Sequence, residues 1–305
     1  MPFVCRRFGG LLRKLFINVS RTRHNKRSSK WFGDNMLIKT AKTLAALASL
    51  LLPETLRAES DSLSLAPSYL PNYVGIGVGA YPDYFGSDDQ SFGAAPFGRF
   101  SWGERYVAFQ ATFVKANLLQ HSNWRAGPTV FWRFGRSDVD DRAVDLLPDI
   151  DGSLELGGFV GYESVSPGDP RDRWGLSGGI AHDVSGVYNG ITASASASKW
   201  IPATRFGALG FSLGATYGSS DFMDSRFSVD ASGAAASGLD EFTAGSGVRD
   251  VRASIVYIQA ISREWQIGGG LVYSRLLGDA ADSPIVRDRG SRNQLYYGIG
   301  ISRAF

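Results

Sequence analysis

The chain has 305 residues, 44% of them hydrophobic and 12% aromatic, with a formal net charge of +3, enough for one large domain or two small ones. The positive charge is confined to the start: residues 1–58 hold 12 of the 32 Lys and Arg and 2 of the 29 Asp and Glu, leaving 20 basic against 27 acidic residues, a net −7, over 59–305. That acidic remainder argues against phosphate-backbone binding, and a lone cysteine, Cys5, excludes an internal disulfide or a thiolate metal site.

Met1–Asn35 carries Arg6, Arg7, Arg13, Lys14, Arg21, Arg23, Lys26, Arg27 and Lys30 against Asp34 alone. Three readings compete for it: a basic nucleic-acid-binding arm, an extended leader, or an upstream stretch with translation starting at Met36. Nothing after Met36 looks intracellular, which favours the last two. From Met36 the order is basic (Lys39, Lys42), apolar (Leu44–Leu52), breaker (Pro53) and small residue (Ala58). That is the order of a secretory signal, with an apolar run too short to span a bilayer as a helix. Cleavage is expected near Ala58, with residues 59–71 as an extended lead-in and 72–305 as the folded domain.

Glycine is the next signal, 34 of the 247 residues after Ala58, against a usual share of roughly 7%. In Tyr73–Tyr81, Val74, Ile76, Val78 and Ala80 alternate with Gly75, Gly77 and Gly79. The spacing lacks the third glycine position of a dinucleotide fingerprint and no amphipathic helix follows. Strand-like runs then recur at about 92–101, 104–118, 123–135, 153–164, 173–184, 190–201, 205–218, 250–261, 264–276 and 293–305. On the run 153–164, Leu154, Leu156, Val160 and Tyr162 oppose Glu155, Gly157, Gly161 and Glu163. In Ile191–Ser198 small apolar and hydroxyl residues alternate so strictly that only a strand puts the hydroxyls on one side.

Short connections at Trp102-Gly103-Glu104, Pro202-Ala203-Thr204 and Ile261-Ser262-Arg263 contrast with long polar ones at 136–152, 219–249 and 277–292. Trp124, Trp132, Phe134, Trp174, Trp200, Trp265 and Tyr273 fall near strand ends, where aromatic rings meet lipid headgroups. Apolar outer faces, inner faces of glycine, serine and a few charges, short turns and long loops together predict an all-β, antiparallel up-and-down transmembrane β-barrel in the outer membrane of a Gram-negative bacterium. Eleven runs are legible, and single-chain bacterial barrels have an even number of strands. Twelve strands are expected, with ten as the alternative. The missing strand is sought within 219–249, at the alternating piece Arg226–Asp230.

Catalytic signals are weak. His182-Asp183 and His121-Ser122 are sequence neighbours, and adjacent strand residues point to opposite faces. No His or carboxylate cluster has ligand spacing, and Asp138, Asp140, Asp141, Asp145, Asp149 and Asp151 read as a solvated loop. No enzyme, cofactor or metal site is expected. With the apolar faces outward, Arg125, Arg133, Glu155, Glu163 and Arg252 project into the lumen, where they line a narrow water path or cross-link it as a polar plug.

Three stretches carry a family resemblance. Tyr273–Val286, with Gly278, Asp279, Asp282, Ser283 and Pro284, resembles the C-terminal signature of the MipA/OmpV family. Phe227–Asp250 is similar to that family's central loop and Tyr81–Asp88 to its first. The resemblance implies an outer-membrane barrel with no catalytic residues. The best-known member is a scaffold bridging a lytic transglycosylase and a murein synthase, and others are discussed as adhesins, immunogens or uptake proteins. Beyond these enzymes, the partners expected are outer-membrane lipid and the barrel-assembly machinery, not nucleic acid. The five motif residues are read as loop-forming, with Pro284 fixing a turn and Asp282 and Ser283 bonding backbone amides.

Asn293–Phe305 is the cleanest alternation in the chain and stops on an aromatic, as the closing strand and assembly signal of such a barrel would. Arg303 is its one outward charge, and its long stem lets it snorkel to the periplasmic headgroups. Deleting Phe305 should lower the fraction of protein recovered folded in outer-membrane fractions, whereas Arg303→Tyr should keep or raise it.

Overall fold

A computed structural model of the chain describes residues 72–305. The signal peptide expected within 1–58 and the lead-in at 59–71 lie outside the described residues. Twelve strands form one antiparallel sheet closed in chain order: β1 (Tyr73–Pro82), β2 (Gln90–Trp102), β3 (Arg105–Gln110), β4 (Phe113–Asn117), β5 (Trp124–Arg133), β6 (Ser153–Val165), β7 (Arg173–Asp183), β8 (Ile191–Thr204), β9 (Gly207–Gly218), β10 (Gly247–Ala260), β11 (Trp265–Leu276) and β12 (Asn293–Ala304). The seam pairs Tyr73 with Ala304 through to Ala80 with Tyr297, so the first and last strands present no free edge to each other, while β2 pairs with β3 only over Phe97–Trp102.

Period-two side chains sort the residues. On β12, Leu295, Tyr297, Ile299, Ile301 and Arg303 are exposed while Gln294, Ser302 and Ala304 are buried. An exposed apolar band of this kind runs round the barrel, as a lipid-facing surface requires. Phe305 continues past the strand, donating its backbone N–H to Asn72 at 2.9 Å, its ring centroid 5.9 Å from that of Phe100. Arg303 pairs with Glu264 at 2.9 Å, both exposed, so this outward charge has a partner in the adjacent turn.

The strand number matches expectation, but the missing strand is elsewhere. The run 104–118 is two strands, β3 and β4, joined through Ala111 and Thr112. Ala111 takes φ +50°, a left-handed conformation that costs a non-glycine residue about 1 kcal/mol. No Gly, Asn or Pro marks the turn, which is why alternation alone runs through it. Arg226–Asp230 is not a strand: it spans the end of a helix and a single bridge, Val229 to Phe242. Pro202-Ala203-Thr204 is likewise no turn, since β8 continues to Thr204 with a register shift between Pro202 and Thr204 that accommodates the proline.

Connections of contrasting length define the two ends. Those after β2, β4, β6, β8 and β10 lie at the end that holds Asn72 and Phe305; those after β1, β5, β7, β9 and β11 lie at the other, with the tight β3–β4 turn. In bacterial outer-membrane barrels the short turns face the periplasm and the long loops the outside. Exposed Trp102, Trp124, Trp174 and Trp265 all sit at the periplasmic end. Trp200 does not join them. It is 5% exposed, turned inward against Ala208 and Val256 with the Arg173 guanidinium 5.3 Å from its ring.

The outer loops carry short helices that no sustained period announced: α1 (Arg142–Asp145), α2 (Ser220–Phe227), α3 (Ala231–Ser237), α4 (Gly278–Asp282) and α5 (Pro284–Arg287). Their caps are legible locally. Ser219 caps α2, Asp230 accepts from Gly233 N at 2.7 Å to cap α3, and Gly238, at φ +75°, ends it.

Gly210 faces the inward Trp200: a Cβ there would stand 2.6–2.7 Å from three of its ring carbons. Because that indole is buried and cannot swing away, Gly210→Val should destabilise the barrel by about 1–3 kcal/mol. Urea titration of heat-modifiable gel migration should show a lower midpoint, with an exposed-face control such as Ala195→Val near wild type.

Candidate functional site

The molecule's distinctive chemistry is concentrated where the outer loops meet the lumen. Two hydrophobic clusters hold the loops together. One joins Tyr188, Phe222, Met223, Phe227, Ala280 and Val286, with Phe85 against it; the other joins Tyr84, Val144, Leu147, Val229, Leu239 and Ile285. These residues come from all five outer connections other than the β3–β4 turn, so the loops form a folded cap with its own core. Gly86 shows how close the packing is. It takes φ +91°, and a Cβ there would lie 2.3 Å from Val286 Cγ2.

The motif residues build this cap. Gly278, at φ +51°, starts α4, and Asp279 accepts from Gly245 N at 2.7 Å. Ser283 does not bond an amide as expected. Its hydroxyl donates to the Phe227 carbonyl at 2.6 Å, fully buried, tying α4 and α5 to the end of α2. Pro284 sits at the first position of α5, where its missing N–H costs nothing, and Asp282 is exposed. The stretch read as a loop is therefore two short helices joined at Ser283.

Below the cap lies a layer of arginines and aromatic rings. Arg133 and Glu155, both 1% exposed, form a two-point ion pair, and Tyr188 from the β7–β8 loop donates to the same carboxylate. The Arg133 guanidinium stands 5.0 Å from the Phe222 ring, and Arg249 stands 4.4 Å from Phe85 and 5.4 Å from Phe222. Cations over ring faces in a water-poor place gain more than they would at the surface. Arg249 and Arg252 share Asp250, at 2.5 and 3.2 Å, and Arg252 also donates to Thr216 Oγ1 at 2.6 Å. At the periplasmic end Glu163 is held by Arg173 at 3.2 Å and Arg125 at 3.8 Å, and Arg125 reaches Glu104 at 3.3 Å.

Parity alone does not reveal the whole set. Arg99, Lys115, Arg173 and Arg249 also face the interior. Lys115 is hidden by the unmarked β3–β4 turn: read as one strand, 104–118 puts it on the face opposite Tyr106 and Ala108, whereas the turn resets the parity and brings it inward beside Ala108.

Catalytic pairing is not assembled at the two histidines. The His182 ring is exposed, with Nδ1 3.0 Å from the Gly190 carbonyl, while Asp183 is buried and accepts from Ser185 N and Tyr188 N, each at 2.8 Å. His121 Nδ1 accepts from Asn123 N at 3.0 Å and Trp124 N at 3.1 Å, closing a periplasmic turn. In the acidic loop, Asp141 caps α1 through Ala143 N and Val144 N and pairs with Arg289 at 2.6 Å. Partial burial pushes its carboxyl pKa up, but the bond from Arg289 and the two amides outweigh that and hold it below the ordinary value. Among the described residues no three His, Cys, Asp or Glu side chains are grouped to hold a metal ion.

The Arg133–Glu155 pair generates a stability prediction. Glu155→Gln leaves a 1%-exposed guanidinium without its counter-charge, and breaking a buried pair in this way costs about 3–5 kcal/mol. The temperature at which heat-modifiable migration is lost should fall sharply, and far less in Glu104→Gln, whose own carboxylate is 47% exposed.

No curated protein matches the sequence. An outer-membrane channel of Pseudomonas putida F1 is similar at 10% identity and a TM-score of 0.41, over 81% of this chain and 100% of that one. The channel DcaP of Acinetobacter baumannii is similar at 10% identity and a TM-score of 0.37, over 77% and 96%. These likenesses add nothing to a fold that the closed strand order already defines. The family described as MltA-interacting protein MipA matches residues 74–305, the whole barrel with its cap after the first strand residue. The chain therefore belongs to the MipA family of outer-membrane barrel proteins.

Proposed function

We propose that the protein is a non-catalytic outer-membrane scaffold that holds murein-remodelling enzymes, a lytic transglycosylase and a murein synthase, at the inner face of the outer membrane. The observation that carries this reading is the cap: five outer connections share two hydrophobic cores over the mouth, and the Arg133–Glu155–Tyr188 network lies beneath them. A barrel closed by packed apolar residues and buried ion pairs is stiff and poorly suited to passing solutes, which suits a fixed platform. The family name, MltA-interacting protein, supports the same partner class.

A small-solute channel is the second reading, favoured by interior cavities of about 160 and 330 Å³. The two readings separate in one pair of measurements. A scaffold gives no steady conductance in planar bilayers, and cross-linking of intact envelopes followed by purification brings down the two murein enzymes. Steady conductance with no enzyme recovered would establish the channel instead.

A further inference from the structure

The lumen is divided by chemistry. One cavity, of about 330 Å³, is bounded by the inner faces of β1, β2, β3, β10, β11 and β12 and is mostly apolar. Its floor on β1, β11 and β12 carries glycine at successive inward positions, Gly77 and Gly79, Gly268 and Gly270, Gly298 and Gly300. A second cavity, of about 160 Å³, lies against β5–β8 and is lined by Arg99, Tyr106, Arg125, Glu163 and Arg173. Phe113 and Lys115 line both, so they stand at the boundary.

Arg99 and Lys115 differ from the ion-paired arginines that line the lumen. Arg125, Arg133, Arg173, Arg249 and Arg252 each have a carboxylate within 4 Å. Arg99 and Lys115 have none in that range among the described residues. Arg99 bonds Ser101 Oγ at 3.0 Å and lies 3.9 Å over the Tyr106 ring; Lys115 stands 6.0 Å from that ring and 5.5 Å from Phe159. The register puts Arg99, Ala108 and Lys115 in one row across β2, β3 and β4. At about 4.8 Å per strand the two cations flank small Ala108 with their Cα atoms on the order of 10 Å apart. Lys115 at the end of the apolar chamber and Arg99 in the polar cavity next to it, neither within 4 Å of a carboxylate although Glu163 lines that same polar cavity, fit an anion with a hydrocarbon tail.

The wall beside this row is low. β3 and β4 have 6 and 5 residues, against 10 to 14 in every other strand. Five or six residues rise about 17–20 Å, less than the roughly 25 Å apolar band of such barrels. The last bond of the β2–β3 ladder runs from Ala111 N to the Pro96 carbonyl at 2.9 Å, and both residues also border the apolar cavity. The low rim therefore brings the cavity's edge to the depth of acyl chains.

We infer that the lumen holds a single-chain anionic amphiphile, such as a fatty carboxylate drawn from the lipid phase, with its head between Arg99 and Lys115 and its tail along the glycine floor. This site does not depend on the scaffold reading, because it uses neither the cap nor the periplasmic turns.

The test uses the folded protein in phosphatidylcholine nanodiscs, titrated calorimetrically with dodecanoate against empty discs. Inorganic phosphate and acetate supply the charge without the tail, and dodecanol the tail without the charge. Saturable one-to-one binding of dodecanoate is expected, with dodecanol, acetate and phosphate at least about tenfold weaker. Lys115→Gln, alone or with Arg99→Gln, should weaken dodecanoate at least tenfold, Lys115→Arg should restore it, and Ala108→Phe should block it. Heat-modifiable migration verifies that each variant is folded, and the comparison of ligands on the unaltered protein needs no variant. Dodecanoate binding unchanged in folded Lys115→Gln/Arg99→Gln overturns the inference. So does acetate or phosphate binding as tightly as dodecanoate, which would mark a site for small aqueous anions, or the absence of dodecanoate binding to the unaltered protein.

Discussion

A strand in a lipid bilayer has to give both rows of its backbone hydrogen bonds to neighbours, because no water is present to take them. Everything else in this molecule follows from meeting that constraint with twelve strands. Closure between β1 and β12 removes the edges of the terminal strands, and period-two side chains then divide the residues between lipid and lumen. What faces lipid needs only to be apolar. What faces inward must fit a narrow space, and this explains why glycine alternates with valine, isoleucine and tyrosine along the seam strands, where the lumen stays open, and why a buried tryptophan at Trp200 is matched by Gly210.

The lumen repeats the problem in electrostatic form. Interior charges lose hydration and survive when paired, hydrogen-bonded or stacked on rings. The Arg133–Glu155–Tyr188 and Asp250–Arg249–Arg252 groups answer with carboxylates and a phenol, and the rings of Phe85 and Phe222 cover the guanidinium faces. The same rings belong to the hydrophobic core of the outer loops. Cap and barrel thus share side chains, so loosening one exposes the charges of the other.

How much of this can be read from sequence depends on whether the signal is local. The outer faces of β6, β9 and β12 are plain in their alternation, and Arg133 and Glu155 acquire a face from that parity. The β3–β4 turn is invisible because Gln110-Ala111-Thr112-Phe113 lacks turn chemistry, and the conformational cost at Ala111 is met by the ladders on either side. Losing that turn inverts the assigned face of Lys115, and with it half of the cationic row. The five cap helices have at most eight residues, too few for a hydrophobic period, and only their caps at Ser219, Asp230 and Gly238 announce them. Trp200 fails for a different reason. A tryptophan near a strand end is read as a headgroup anchor, but parity with Ser194, Ser196 and Ser198 sends it inward, and parity prevails because the backbone cannot be rotated by one residue without moving every neighbour to the wrong side.

The short hairpin that misleads a linear reading is also the place where the barrel departs from uniformity. A wall of equal strands would seal the lumen from lipid along its full height. Shortening β3 and β4 interrupts that seal beside Arg99 and Lys115, which have no carboxylate within 4 Å among the described residues, and beside the apolar cavity. Each feature alone has an ordinary explanation: a short hairpin is tolerated in a barrel, a cation can rest on a tyrosine, and glycine can thin an inner face. Their coincidence on adjacent strands is harder to attribute to packing, since packing would be improved by filling the cavity and by giving Lys115 an acid. A lumen left apolar on one side and uncompensated at its boundary is poorly designed as a plug and well matched to a guest that brings both a tail and a negative charge.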